Sequence, residues 1–315
     1  MIEPPRFSVI IPVHNKARHV AAALDSALAQ RFKPLEIIAI DDASTDDSAA
    51  VLKRYSSQIK CLARDVPGPG GYAARNLGIR QALGDWVAFL DADDIWSASH
   101  LEELAAALAE NPSAGCLASR YEHVYADRRV LSKAGDKLLS AASRVADFDM
   151  FLDIWLDQGE CPIWTSASAF RKDMLIDAGL FPDGKARRGG DKDLWLRAAA
   201  LAPFAYAPKP SAEFHRDSDN KVSHAAQITQ LPIVVQTARS MLPSAPKQTQ
   251  RRLRRLINQQ IAFYARFSFK QTQISRALAA GLCLPEGLKT YAMILAMRAL
   301  PASFRRSFYH RLKGA

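Results

Sequence analysis

The first 110 residues repeat one alternation: a short apolar run, then about ten to fifteen residues at helical spacing. The runs are RFSVIIPV (Arg6–Val13), LEIIAIDD (Leu35–Asp42), Ile59–Arg64 and Trp86–Leu90. The helical stretches are His19–Gln30, a segment capped by Ser44 or Thr45 with Asp46 and Asp47 in its first turn, Tyr72–Leu83, and Ser97–Glu110. A chain that leaves each strand through a helix returns in parallel, so the pattern predicts a doubly wound α/β sheet with helices on both faces. Runs of Val and Ile without polar alternation suit strands buried on both sides. In such sheets ligands bind beyond the carboxyl ends of the strands. Here three of those ends carry polar residues: Pro12–Asn15, Asp41–Asp42 and Asp91–Asp94.

Further along, Cys116–Tyr125 suggests another strand, Asp147–Leu156 a helix, TSASAFRKDMLIDAGLF a strand and then a helix, and Asp191–Leu201 a helix with a charged start. From about Pro232 the pattern is helical with basic faces. The polar stretch between His215 and Pro232 divides a body, residues 1–225, from a helical basic region, residues 226–315; within the body, residues to about 110 and from 111 onward form two halves. The net charge of +10 is uneven, since residues from Lys247 onward hold fourteen Lys and Arg against Glu286 alone. Such a tail seeks an acidic partner, a membrane surface or nucleic acid. Nucleic acid is set aside because no recognition motif accompanies the charge. Four scattered cysteines with no CxxC fit a reducing, cytoplasmic setting. The opening residues run directly into a strand, so no signal peptide is expected. No apolar stretch reaches the roughly 18 residues of a membrane span.

The stretch GDWVAFLDADDIW drives a buried strand into three carboxylates, Asp91, Asp93 and Asp94. Like charges this close raise each other's pKa unless a cation joins them. The Asp-x-Asp spacing lets two carboxylates approach one hard ion, Mg²⁺ or Mn²⁺, whose other positions are usually filled by substrate phosphates. The plain alternative is a solvated acidic turn capping the next helix, which suits Asp94 best.

FSVIIPVHN, IAIDDASTDDS, ARNLGI and GDWVAFLDADDIW occur in that order, and the order resembles the N-terminal half of a family 2 glycosyltransferase. The resemblance is dense over residues 6–110, looser over 160–215, and faint in the tail. It implies a GT-A type, Rossmann-like, doubly wound mixed sheet and an inverting sugar transfer from a nucleotide-diphosphate donor. By the same resemblance Asp93 is the direct metal ligand, Asp91 faces ribose or metal, and Asp42 accepts from a pyrimidine N–H, which uracil presents, with Asp41 assisting at the ribose. His14 stands where the family usually has Tyr and offers a smaller stacking face; Asn15 serves as a helix cap or in the cradle. Arg75 and Asn76, on the first turns of their helix, reach for phosphate, with a surface salt bridge as the alternative for Arg75. The preceding PGPGG is not a Walker loop and reads as a mobile loop. The family's acidic pair falls on RRGGDKDLWLR, making Asp191 the general base with Gly190 in place of the usual Glu; a helix cap is its other role. His215 or Arg216, and more weakly His224, match a metal- and diphosphate-side residue. Trp155, Trp164 and Trp195 are either core or an aromatic platform for a sugar ring.

The tail helix QRRLRRLINQQIAFYARFSFK is basic and amphipathic, which suits an anionic membrane surface and a lipid-linked glycan acceptor at the inner membrane face; a solvated helical cap is the alternative. Two other readings stand beside the transferase. One is a catalytically silent GT-A module that binds nucleotide or glycan as a scaffold, favoured by Gly190. The other is a nucleotidyltransferase, disfavoured because no glycine-rich basic loop follows the first strand.

Overall fold

The computed structural model describes residues 3–133, 135–139, 144–217, 230–268, 275–301 and 304. Its strands are β1 (Phe7–Val13), β2 (Glu36–Asp42), β3 (Lys60–Arg64), β4 (Trp86–Phe89), β5 (Ile95–Trp96), β6 (Cys116–Val124), β7 (Arg129–Leu131), β8 (Val145–Ala146), β9 (Ser168–Arg171) and β10 (Phe204–His215). Its helices are α1 (Val20–Leu28), α2 (Ser48–Arg54), α3 (Tyr72–Gln81), α4 (His100–Glu110), α5 (Asp136–Leu139), α6 (Phe148–Gln158), α7 (Lys172–Asp177), α8 (Gly190–Ala199), α9 (Ile233–Met241), α10 (Lys247–Phe267), α11 (Arg276–Ala280) and α12 (Leu288–Ala299).

One sheet runs in the order β3-β2-β1-β4-β9-β6-β10-β5, with β7 on β6 and β8 on β10. The first four strands are parallel, as the alternation predicts. β9 then runs antiparallel to both β4 and β6 and makes the sheet mixed. Residues on alternate sides of the strands enter two cores: Val9, Ile11 and Ala39 meet α1, α2 and α4, whereas Ile10, Ile38 and Phe89 meet α3, α6 and α8.

Local sequence explains the helices. α4 buries Leu101, Leu104 and Leu108 along one stripe and carries Glu102 and Glu103 in its first turn, where the dipole favours acids. α6 starts where the Asp147 carboxylate accepts from the Met150 N–H at 2.8 Å and ends at Gly159, whose φ of 75° suits a residue without a side chain. α2 begins later than expected. Ser44 and Thr45 do not cap it; Asp46 instead accepts from the Ser48 N–H and hydroxyl and from the Ala17 N–H.

The basic tail does not lie apart. Leu253, Leu256, Ile257, Ile261 and Tyr264 of α10 are buried in the same core as α6 and α8. Arg252 is held by Asp149 and Asp153, the latter at 2.8 Å. The apolar face expected to rest on a membrane is therefore turned into the protein, which corrects that expectation for this helix. Among the described residues no helix is long and apolar enough to cross a membrane.

Candidate active site

Because β1, β2 and β4 are parallel, their carboxyl ends open on one edge of the sheet. A cleft of about 400 Å³ lies there. Pro12 near the end of β1 and His14 just after it reach into the cleft, Asp42 ends β2, Asp91 and Asp93 follow β4, Arg75 comes from α3 and Asp191 from α8.

Three of these acids are held by partners. Asp93 meets the Lys16 ammonium at 2.7 Å. Asp91 pairs with Arg75, whose other arm donates to the Gly70 carbonyl at 2.9 Å. Burial opposes the charge on Arg75, but Asp91 more than offsets it and the guanidinium pKa is raised. Asp42, buried at the end of β2, accepts from Arg64 and from the Gly68 N–H. The His14 ring lies 2.8 Å from the Asp42 carbonyl through Nδ1.

Asp94 is different. It is buried, accepts from the Ser166 hydroxyl at 2.6 Å and takes the His215 N–H at 3.3 Å. Burial first, then the charges of Asp91 and Asp93, push its carboxyl well above the usual range. Ser166 also accepts the Asp91 N–H. Asp94 thus fastens the turn after β4 to β10 and to the segment before β9.

Several expected residues stay out of the cleft. Asn15, at φ 53°, accepts from the Thr45 N–H at 2.7 Å and its own N–H donates to Ser44, so it braces two loops against each other. Asp41 accepts the Ser44 N–H three residues on, across the turn after β2. Asn76 uses both ends of its amide on the backbone of Phe181. The His215 ring sits 3.2 Å from Glu213 and does not line the cleft. Arg216 lies over the Phe214 ring. His224 falls outside the described residues. Trp155 and Trp195 are wholly buried core residues; Trp195, in the middle of α8, stacks on Phe170 at 4.1 Å. Only Trp164 of the three lines the cleft, stacked on Phe214 at 4.8 Å.

Other residues complete the wall without having been expected: Lys16, Tyr72, Arg188, Lys192, Phe263 and Tyr264. The two tyrosines flank the loop before Asp191. The Tyr72 hydroxyl accepts the Gly190 N–H at 2.8 Å. A Cβ on Gly190 would lie 2.7 Å from the Tyr72 ring, and one on Gly189, already at φ 74°, would lie 2.2 Å from the Tyr264 hydroxyl. Burial, followed by the charge of Asp191, raises the pKa of both phenols. The glycine that replaces the expected Glu is thus the residue this packing admits. No sequence signal announces these contacts, because Tyr72 lies 118 residues from Gly190 and Tyr264 lies 75 residues from Gly189, and they meet only in the fold.

As for a cation, among the described residues no three His, Cys, Asp or Glu side chains form a group able to hold a metal ion. Asp91 and Asp93 nonetheless fit part of such a shell, since hard divalent ions take one or two carboxylates and complete their coordination with phosphate oxygens.

A mixed sheet with a carboxylate-lined cleft over its parallel strands defines a GT-A type fold. The sequence model of glycosyl transferase family 2 matches residues 8–177, more than half of the chain. The chain belongs to that family. An uncharacterized glycosyltransferase of Rickettsia conorii is 30% identical over 203 residues, 64% of this chain and 31% of that protein. The chain thus spans about a third of the length of that relative. An Escherichia coli enzyme, UDP-Glc:alpha-D-GlcNAc-diphosphoundecaprenol beta-1,3-glucosyltransferase WfgD, is 35% identical over 105 residues, 33% of this chain and 41% of the enzyme. Among solved structures, Staphylococcus aureus TarS 1–349 in complex with UDP-GlcNAc superposes with a TM-score of 0.71 at 18% identity, covering 97% of this chain and 92% of that one. The Pyrobaculum calidifontis mannosyltransferase PcManGT, in complex with GDP-Man and Mn²⁺, gives 0.55 at 18% identity over 99% and 81%. These last two likenesses speak for the fold.

Proposed function

We propose that the chain is an inverting glycosyltransferase that moves a sugar from a nucleoside-diphosphate donor, a UDP-sugar, to a hydroxyl of a glycan or lipid-linked acceptor. The observation that carries this reading is the meeting of Asp42, Asp91, Asp93 and Asp191 in one cleft from three separate places in the fold: the end of β2, the turn after β4 and the start of α8. The UDP-GlcNAc in TarS and the UDP-Glc and diphosphoundecaprenol named for WfgD support the donor and acceptor classes.

In this reading Asp42, pinned by Arg64 and Gly68, keeps a lone pair for the base's ring N–H. Arg75 holds Asp91 and lies where a phosphate would approach. Asp93, with Asp91, holds Mn²⁺ or Mg²⁺, a use supported by the Mn²⁺ in PcManGT; His215 drops out of that set because its ring turns to Glu213. A bound ion supplies charge neutralisation for the departing diphosphate. Asp191 takes the proton of the acceptor hydroxyl as that oxygen attacks the anomeric carbon. The bond from that carbon to the diphosphate oxygen breaks on the opposite face, so configuration inverts. The body, residues 1–225, carries this chemistry, on the cytoplasmic side. Peripheral attachment to the inner membrane face then falls to α12, which exposes Leu288, Tyr291 and Leu295 beside Lys289.

The test is nucleoside diphosphate release from a panel of UDP- and GDP-sugars with and without Mn²⁺, for the native chain and for Asp191→Asn. Turnover is expected to fall at least about 100-fold in the variant while donor affinity stays the same. Donor binding with no turnover in either protein would favour the silent-module reading, for which Gly190 is the motive. Failure to bind any donor would overturn the transferase reading and leave only a glycan-binding module.

A further inference from the structure

Two ion pairs hold the cleft acids that follow β4. Asp91 gives Oδ1 to the Arg75 guanidinium, and among the described residues its Oδ2 meets no donor. Asp93 takes the Lys16 ammonium on Oδ2 at 2.7 Å. The two cations are anchored differently. Arg75 rises from α3, is buried, and also donates to the Gly70 carbonyl at 2.9 Å, so it is a fixed part of the wall. Lys16 lies on the loop after β1, whose backbone is tied to the start of α2. The Lys16 N–H donates to the Ser48 hydroxyl at 2.8 Å, and the Asn15 and Ala17 N–H groups donate to Ser44 and Asp46, both at 3.1 Å. With that backbone pinned, movement of Lys16 falls to its flexible four-carbon stem, and its ammonium is a point charge that can change partners.

Carboxylates two positions apart repel each other unless cations join them. Lys16 and Arg75 are cations that do so here. The Lys16–Asp93 pair is largely removed from water, with side-chain exposures of 12% and 17%. Breaking such a pair without replacing either partner leaves an unmatched, desolvated charge and costs far more than at the surface. Lys16 can therefore leave Asp93 at low cost only when another cation takes its place and another anion comes within reach of its ammonium. Lys16, Arg75, Asp91 and Asp93 all line one cleft. In the transferase reading the anion that enters this cleft is the donor's diphosphate.

We infer that Lys16 is a placeholder on Asp93 that couples cation binding to nucleotide binding: it yields the carboxylate to a divalent cation and turns its ammonium to the donor's diphosphate. This rests on the transferase reading above and deepens it with a regulation of the same site. Arg75 stays on Asp91 throughout, so the exchange runs through one side chain. The nucleotide-free protein then holds Mn²⁺ weakly, because Lys16 must give up Asp93 with no anion to receive it.

Two titrations of the full chain test this: Mn²⁺ binding to the nucleotide-free protein, read from the electron paramagnetic resonance of free Mn²⁺, and UDP binding without metal, read by calorimetry. Lys16→Ala is expected to tighten Mn²⁺ binding about tenfold and to weaken metal-free UDP binding by a similar factor. Opposite signs mark the exchange, since a merely structural role would weaken both. Lys16→Gln, which removes the charge and keeps most of the stem, should behave as Lys16→Ala does, and Lys16→Arg should return both affinities toward those of the native chain. Asp93→Asn should lose the Mn²⁺ site, and removing Lys16 as well should not bring it back. Mn²⁺ affinity that is unchanged or lowered in the Lys16 variants overturns the proposal. So does a gain that persists in the double variant, which would be a general effect of taking a positive charge out of the cleft, and so does metal-free UDP affinity that ignores Lys16. UDP that binds nowhere overturns the transferase reading, and the coupling falls with it; UDP bound normally beside an unmoved Mn²⁺ affinity overturns the coupling alone.

Discussion

His100 shows how much a single side chain can commit a fold to one range of pH. It is wholly buried at the start of α4, stacked on Trp96 at 4.3 Å, with Nδ1 2.8 Å from the Ser211 hydroxyl. Burial pushes its pKa down to about 3, against an ordinary value near 6.5. Above the ordinary value neither the folded nor the unfolded chain protonates it. Between that value and about 3 only the unfolded chain does, so stability falls as pH falls through this window, by at most about 1.4 kcal/mol per pH unit. Urea unfolding at pH 7 and pH 5 is expected to show about 2 kcal/mol more loss in the native chain than in His100→Gln. Equal losses in the two proteins would remove this histidine from the account. Asp94 teaches a related lesson. A solvated cap on the next helix is the plain reading of Asp94, yet it is a buried fastener for Ser166 and His215. Sequence spacing cannot separate the two roles, because the difference is made by partners 72 and 121 residues away.

At the scale of elements, α3 and α8 face each other across the cleft, and their fit explains Gly190. Tyr72 fills the space that a side chain there would need. Gly190→Glu is expected to lower the melting temperature, with about 1–3 kcal/mol of strain from overpacking, and to reduce turnover as the Asp191 loop shifts. Tyr72→Ala in the same chain should restore most of the loss; thermal melts of the single and double variants decide it, and an additive outcome would show that the two residues do not compete for one space. The parallel strands and their helices were legible from apolar runs and helical spacing, which are local signals. β10 was not. Its sequence, FAYAPKPSAEFH, holds Pro208 and Pro210, and the strand survives by bulging there, with its register on β6 shifting between Ala207 and Ala212. The two-residue β5 is too short to leave a pattern. In the site, the strand-end residues could be read from position alone. Asn15, Asn76 and His215 could not be excluded that way, since only the fold shows Thr45, Phe181 and Glu213 meeting their polar groups.

At the scale of the whole molecule, the division at about residue 225 separates two compositions, and the core crosses it. α10 buries Leu253, Leu256, Ile257 and Ile261 completely and Tyr264 nearly so, against α6, α8 and α9. At about 1.5–3 kcal/mol for each large apolar side chain, that burial is of the order of an entire domain's net stability, about 5–15 kcal/mol. The body is therefore expected to need α10 in order to fold. A chain ending at residue 245 should lack a cooperative thermal transition and a defined near-ultraviolet circular dichroism signal. A body that melted cooperatively without α10 would show the tail to be an appendage, and would return the question of its basic residues to a partner elsewhere. The same helix supplies Phe263 and Tyr264 to the cleft, so the segment that completes the core also completes the wall beside Asp191. Folding and the shape of the cleft are then coupled through one helix. Phe263→Ala offers a way to part them, because Phe263 is exposed while its neighbour Tyr264 is buried.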